Sequence, residues 1–103
     1  MDTQLRRGML DVCVLRSLTG GESYGYAIIK DISPYVTISE STLYPILKRL
    51  EGAGCLTVRS AEHNGRLRKY YCITDRGRER ISDFLTEWED IMRAYSFVKE
   101  GIK

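Results

Sequence analysis

Residues 39–73 read SESTLYPILKRLEGAGCLTVRSAEHNGRLRKYYCI, and the fold turns on how this stretch divides. In its first part Leu43, Ile46, Leu47 and Leu50 stand at i, i+3, i+4 and i+7. That spacing lines one face of an α-helix, so a helix over about Glu40 to Gly52 is predicted, with this face in a core. Ser39 offers the N-cap. At 100° per residue the opposite face presents Ser41, Tyr44, Pro45, Lys48 and Arg49, with Thr42 at its margin. Pro45 removes a hydrogen bond in the second turn and crowds the Ser41 carbonyl, a local violation of the kind that accompanies functional or specially packed places. After Gly52 and Gly54 the period changes. Leu56 and Val58 alternate with Thr57 and Arg59, Asn64-Gly65 is a hairpin signal, and Leu67 to Ile73 returns. Arg66 at the turn and Arg68, Lys69, Tyr70 and Tyr71 on the return strand make the ribbon basic and aromatic at its tip. Alternation puts Leu67, Lys69, Tyr71 and Ile73 on one side and Arg68, Tyr70 and Cys72 on the other, so at least one of the two tyrosines belongs to the core.

Upstream, residues from about Thr3 to Leu18 carry two apolar stripes, Leu5, Met9 and Val12, then Leu10, Val14 and Leu18, which predict a helix buried on both faces. Thr19-Gly20-Gly21 stops it, and Ser23 reads as the N-cap of a short helix over about Tyr24 to Ser33. Pro34 ends that helix, and Tyr35 to Ile38 form an extended link. Downstream, Thr74 reads as an N-cap and Asp75 as a first-turn acid, opening a helix of about 20 to 25 residues. Its broad face carries Ile81, Phe84, Leu85, Trp88, Ile91, Met92 and Tyr95, and no later element covers it. The expected class is mostly α with a small β-hairpin: a winged helix-turn-helix over residues 1–74, then a C-terminal dimerisation helix over 75–103.

A chain of 103 residues that is 43% hydrophobic supports one core, and a domain this short with a long apolar terminal helix is expected to pair with a second copy. Between Arg59 and Arg80 seven basic residues face three acidic ones, whereas Asp83 to Lys103 holds five acids against three bases, so a polyanion should meet the middle of the chain. Cys13, Cys55 and Cys72 are widely spaced among apolar or strand-like neighbours and read as buried thiols in a reducing compartment. Met1 to Arg7 lack a leader's apolar core, and no apolar run approaches the roughly 20 residues that cross a bilayer, so a cytoplasmic protein without membrane contact is expected. The single histidine, His63, sits in the hairpin turn, and no cysteine has a base nearby in sequence. No enzyme, cofactor or metal site is expected from such a set.

Four pieces, in order, carry a resemblance: Leu5-Arg6-Arg7-Gly8; Tyr24-Gly25-Tyr26; Thr42-Leu43-Tyr44-Pro45 with Leu47, Arg49, Leu50 and Glu51; and Arg68-Lys69-Tyr70-Tyr71 before Thr74. Together they resemble the PadR family of transcriptional regulators, over roughly residues 5 to 80. The resemblance implies a winged-helix repressor that dimerises through its first and last helices, with the third helix as recognition helix and the hairpin along the DNA backbone. It also implies that Trp88 matches a tryptophan lining a pocket between subunits for flat aromatic ligands. A MarR-like regulator shares the layout, but the Tyr-Gly-Tyr and Leu-Tyr-Pro steps point away from it.

Affinity for DNA comes from neutralised phosphates and sequence choice from base edges. Ser41, Thr42, Tyr44, Lys48 and Arg49 are therefore the expected contacts to the major groove of a palindromic operator or its flanking phosphates. Arg66, Arg68 and Lys69 are expected on phosphate or minor-groove edges, with Tyr24 adding a phosphate contact at the start of the second helix. An aromatic effector would sit at the dimer interface against Leu5, Val12, Leu85, Trp88 and Met92. Plainer readings stand beside these: Lys48 and Arg49 as a solvated surface, Trp88 as interface core, and the whole domain as a winged helix that docks an acidic protein rather than DNA.

Overall fold

The computed structural model describes residues 3–102, and each boundary in it has a local cause. The elements are α1 (Thr3–Ser17), α2 (Gly25–Ile32), α3 (Glu40–Gly52), β1 (Leu56–His63), β2 (Arg66–Ile73) and α4 (Asp75–Glu100). This is the mostly helical winged-helix architecture expected of the sequence. Ser39 caps α3 by accepting the Thr42 backbone N–H at 3.3 Å. Thr74 caps α4 by accepting the Gly77 N–H at 3.1 Å, while its own hydroxyl donates to the Gly54 carbonyl at 2.6 Å. Side-chain oxygens at these positions satisfy N–H groups that the first helical turn leaves unpaired.

The strands pair antiparallel, with Leu56 opposite Ile73, Val58 opposite Tyr71 and Arg59 opposite Tyr70. Asn64 and Gly65 both take positive φ, 51° and 77°, the twist that a two-residue hairpin turn demands. Because side chains alternate across a strand, Leu56, Ile73 and Tyr71 fall on the core side, and Arg59 and Tyr70 on the other. The core gathers Leu10, Val14, Leu15 and Leu18 of α1, Ile28 and Ile32 of α2, and Leu43, Ile46, Leu47 and Leu50 of α3 against that inner strand face. Tyr71 is the core member of the tyrosine pair, and burial pushes its phenol above the ordinary value, with Tyr44 and Glu51 adding to the rise.

Three local expectations change. Ser23 does not cap α2; Tyr24 holds that place without a side-chain bond. The Ser23 backbone instead exchanges hydrogen bonds of 3.0 and 2.8 Å with Tyr71, so the loop before α2 runs as a short third rung beside β2. The first stripe of α1 is less covered than expected: Val12 is buried, but Leu5 and Met9 are only half-buried. Of the cysteines only Cys55 is buried. Cys13 is intermediate, its thiol raised by partial burial, and Cys72 lies exposed on the outer face of β2.

The last helix, 26 residues long, leaves the domain behind and gives the molecule its 62 Å long axis. Gly77 is its one buried residue. A β-carbon there would lie 2.7 Å from Ile73 Cγ1 and press on the Cys55 carbonyl, so glycine is what lets α4 leave the hairpin base. Among the described residues no helix is long and apolar enough to cross a membrane. Gly77→Ala should therefore destabilise the fold by about 1–3 kcal/mol through overpacking. Gly52→Ala, with nothing within 4 Å of its new methyl, should not lower the melting temperature; thermal denaturation of the two variants compares them.

Candidate nucleic-acid interface

A concave face opens between the wing and the N-terminal ends of α2 and α3, taking in Tyr24, Tyr44, Arg66, Arg68 and Lys69. Its floor is set by one close approach. The phenol of Tyr44, on the outer side of α3, lies so near Gly25 that a β-carbon at Gly25 would come within 2.5 Å of its oxygen. Glycine thus lets the first turn of α2 rest against the Tyr44 ring, which itself stays 47% exposed. At the start of α3 three hydroxyls converge: Ser39 Oγ lies 3.0 Å from Ser41 Oγ and 3.1 Å from Thr42 Oγ1. These groups sit where the helix dipole favours an anion, although Glu40 in the same turn offsets part of that field. Lys48 is exposed one turn further along.

The wing's side of the face is ordered by stacking. The Arg68 guanidinium lies 4.0 Å from the centroid of the Tyr24 ring, which meets Tyr70 edge-on at 6.0 Å. Arg59 lies 4.6 Å from the Tyr70 centroid, and its Nε donates to Glu22 Oε2 at 2.9 Å, with a second bond from the other arm of the fork. That pairing holds the Glu22 carboxyl below the usual carboxylate range and raises Arg59 further. Arg66 and Lys69 are exposed towards the tip.

Arg49 departs from its expected place. It is half-buried, and its guanidinium turns away from the outer face to pair with Asp11 of α1. Asp11 is 2% exposed and also accepts from Arg80 of α4 at 3.0 Å. A buried carboxylate needs cations, and Arg49 on α3 supplies one, so charge compensation ties its guanidinium to Asp11 while the side chain stays partly exposed. Sequence reading missed Asp11, Arg80, Glu22 and Arg59. One signal was available for Asp11: an acid between Leu10 and Val12, within the buried stretch of α1, requires a partner. Nothing in the spacing named which.

The five residues expected around an effector divide among different surfaces. Leu85, Trp88 and Met92 share an open groove along α4 alone. Val12 meets Leu85 in a separate cavity between α1, α2 and α4, and Leu5 lies outside both. Trp88 packs edge-on against Phe84 at 6.0 Å and is only half-buried.

Residues 14–83 match the Transcriptional regulator PadR-like family. The chain is 30% identical over 88 residues to the Negative transcriptional regulator PadR of Bacillus subtilis, covering 81% of this chain and 48% of that protein, so it spans about half that relative's length. A PadR family transcriptional regulator from Eggerthella lenta superposes with a TM-score of 0.84 at 33% identity, over 94% of this chain and 87% of that one. Bacillus subtilis PadR in complex with operator DNA superposes at 0.69 with 29% identity, over 75% of this chain and 45% of that one.

The buried ion triad has a measurable consequence. Asp11→Ala leaves two arginines facing each other without a counter-charge; because both reach solvent at one edge, the cost should be about 2 kcal/mol, below the range for a fully enclosed pair. Urea denaturation reads this directly, and Arg80→Ala should cost less, since Arg49 still holds Asp11.

Proposed function

This chain belongs to the PadR-like family of transcriptional regulators, and on that premise we propose that it works as a homodimeric repressor reading a palindromic operator in double-stranded DNA. It is a regulator rather than an enzyme. The observation that carries the reading is the concave face on which Tyr44 of α3 and the Tyr24–Arg68 stack of the wing come together, with the hydroxyls of Ser39, Ser41 and Thr42 exposed at the same end of α3. Such a face divides the two tasks of DNA recognition: Ser41, Thr42, Tyr44 and Lys48 are turned towards base edges and nearby phosphates, while Arg66, Arg68, Lys69 and Tyr24 hold the backbone. The Bacillus subtilis relative solved with operator DNA supports DNA as the partner.

A second copy is the partner that suits α4. Leu85, Ile91, Met92 and Tyr95 are 44 to 56% exposed on one helix, too much apolar surface to leave to water. The acidic run Asp83, Glu87, Glu89 and Asp90 on α4 complements Arg6 and Arg7 at the exposed start of α1, which favours a dimer built from the first and last helices. Such a dimer would close the α4 groove, and a planar aromatic effector would then lie between subunits, stacked on Trp88 and bounded by Leu5, Val12, Leu85 and Met92. It relieves repression only if it favours a dimer geometry in which the two α3 helices no longer match half-sites about 34 Å apart. Operator binding of this kind takes place in the cytoplasm, beside the chromosome.

Titration of the protein onto its own upstream DNA and onto a scrambled duplex, across a salt series, tests the reading. Two protomers should bind one site with a clear preference over scrambled DNA. Arg68→Ala should weaken both duplexes and lower the salt slope by about one, whereas Lys48→Ala should change sequence preference. Salt-insensitive or absent binding would favour a domain that docks an acidic protein instead. Ile91→Glu should leave a folded monomer in sedimentation with little operator affinity, and planar aromatics should quench Trp88 fluorescence; silence across a panel would remove the effector from the scheme.

A further inference from the structure

We propose that Glu22, an acidic residue beside a surface that binds a polyanion, is a positioning residue that strengthens DNA binding by holding the arginines and tyrosines of the wing in register. The inference rests on the DNA-binding reading above and assigns a role to a residue outside the contact set.

The sheet geometry supplies the argument. Ser23 pairs with Tyr71, so the segment Glu22–Tyr24 runs antiparallel beside β2, and alternation puts Glu22 and Tyr24 on the face that carries Arg59, Arg68 and Tyr70. On that face the groups form a continuous chain. Glu22 grips Arg59 through both arms of the guanidinium, Arg59 lies on Tyr70, Tyr70 meets Tyr24 edge-on, and Tyr24 carries Arg68. Three of these links join the loop before α2 to a wing strand, and the fourth, Arg59 on Tyr70, joins the two strands to each other.

A two-stranded ribbon has little stability alone, and an arginine on it explores many rotamers. The chain of contacts restricts that freedom. Glu22 fixes Arg59 through a bidentate side-on pairing of Nε and one terminal nitrogen with both carboxylate oxygens, and this orders the Tyr70 ring between Arg59 and Tyr24. The Tyr24 ring is thereby held as a platform, and Arg68 waits over it towards the concave face rather than wandering in solvent. Pre-ordering a cation lowers the entropy lost when it meets a phosphate. Simple Coulomb reasoning gives the opposite sign: removing an acid near DNA should tighten binding and free Arg59 as an extra phosphate contact. The two accounts are therefore separable by one conservative change.

The experiment is operator binding over a salt series by the full chain and by Glu22→Gln, Arg68→Ala and the double variant, with melting temperature recorded for each. Glu22→Gln should weaken binding by about 3- to 10-fold at moderate salt with little change in melting temperature. In its background Arg68→Ala should cost less than about half, on a logarithmic scale, of what it costs in the parent, because the platform is already lost. Equal or tighter binding by Glu22→Gln, a steeper salt slope, or strict additivity of the two changes would overturn the proposal while leaving the DNA reading intact. If the parent chain itself shows no salt-dependent binding, the DNA reading falls first and this role falls with it.

Discussion

A buried carboxylate, Asp11, holds this fold in its working shape. It sits in the middle of α1 with almost no exposure and takes one arginine from α3 and another from α4. An ionised group in that position is costly unless it is paired and hydrogen-bonded, so the three helices are free to meet only where both guanidinium groups reach it. Apolar packing alone would tolerate some sliding of α3 against α1, since leucine faces are forgiving of small shifts. A directional pair is less so. The orientation of α3 is in this way tied to the root of α4.

The wing is governed by a different balance. Its inner face is held by Tyr71, Leu56 and Ile73, which belong to the core, and by the exchange of backbone bonds between Ser23 and Tyr71. Its outer face has no core to pack against. There the order comes from two rings in contact, each carrying an arginine, with Glu22 at one end of the chain and Arg68 at the other. Individually such exposed contacts are worth little, about 0.5–1 kcal/mol for a cation on a ring. In series they share residues, so each ring is fixed by two neighbours.

Beyond Leu85 most of α4 is exposed, its apolar side included. The N-terminal turns of that helix are bound tightly, at Gly77 against the hairpin base and at Arg80 against Asp11. The root of α4 thus shares the Asp11 carboxylate with α3.

Local pattern made much of this readable from the chain itself. The spacing of Leu43, Ile46, Leu47 and Leu50, the caps Ser39 and Thr74, the Asn64-Gly65 turn and the alternation of β2 depend on neighbours within a few residues, and the sequence by itself determined the helices, the hairpin and their order. Lys48, Arg66 and Lys69 were legible as exposed cations for the same reason. Tertiary structure alone decided what depends on residues far apart in the chain: that Arg49 turns inward to Asp11, 38 positions away, that Glu22 reaches Arg59 across 37, and that Ser23 joins a strand instead of capping a helix. The physical reason is common to all three. A charged or polar group states in the sequence that it needs a partner, but periodicity carries no information about which partner the fold will bring within reach.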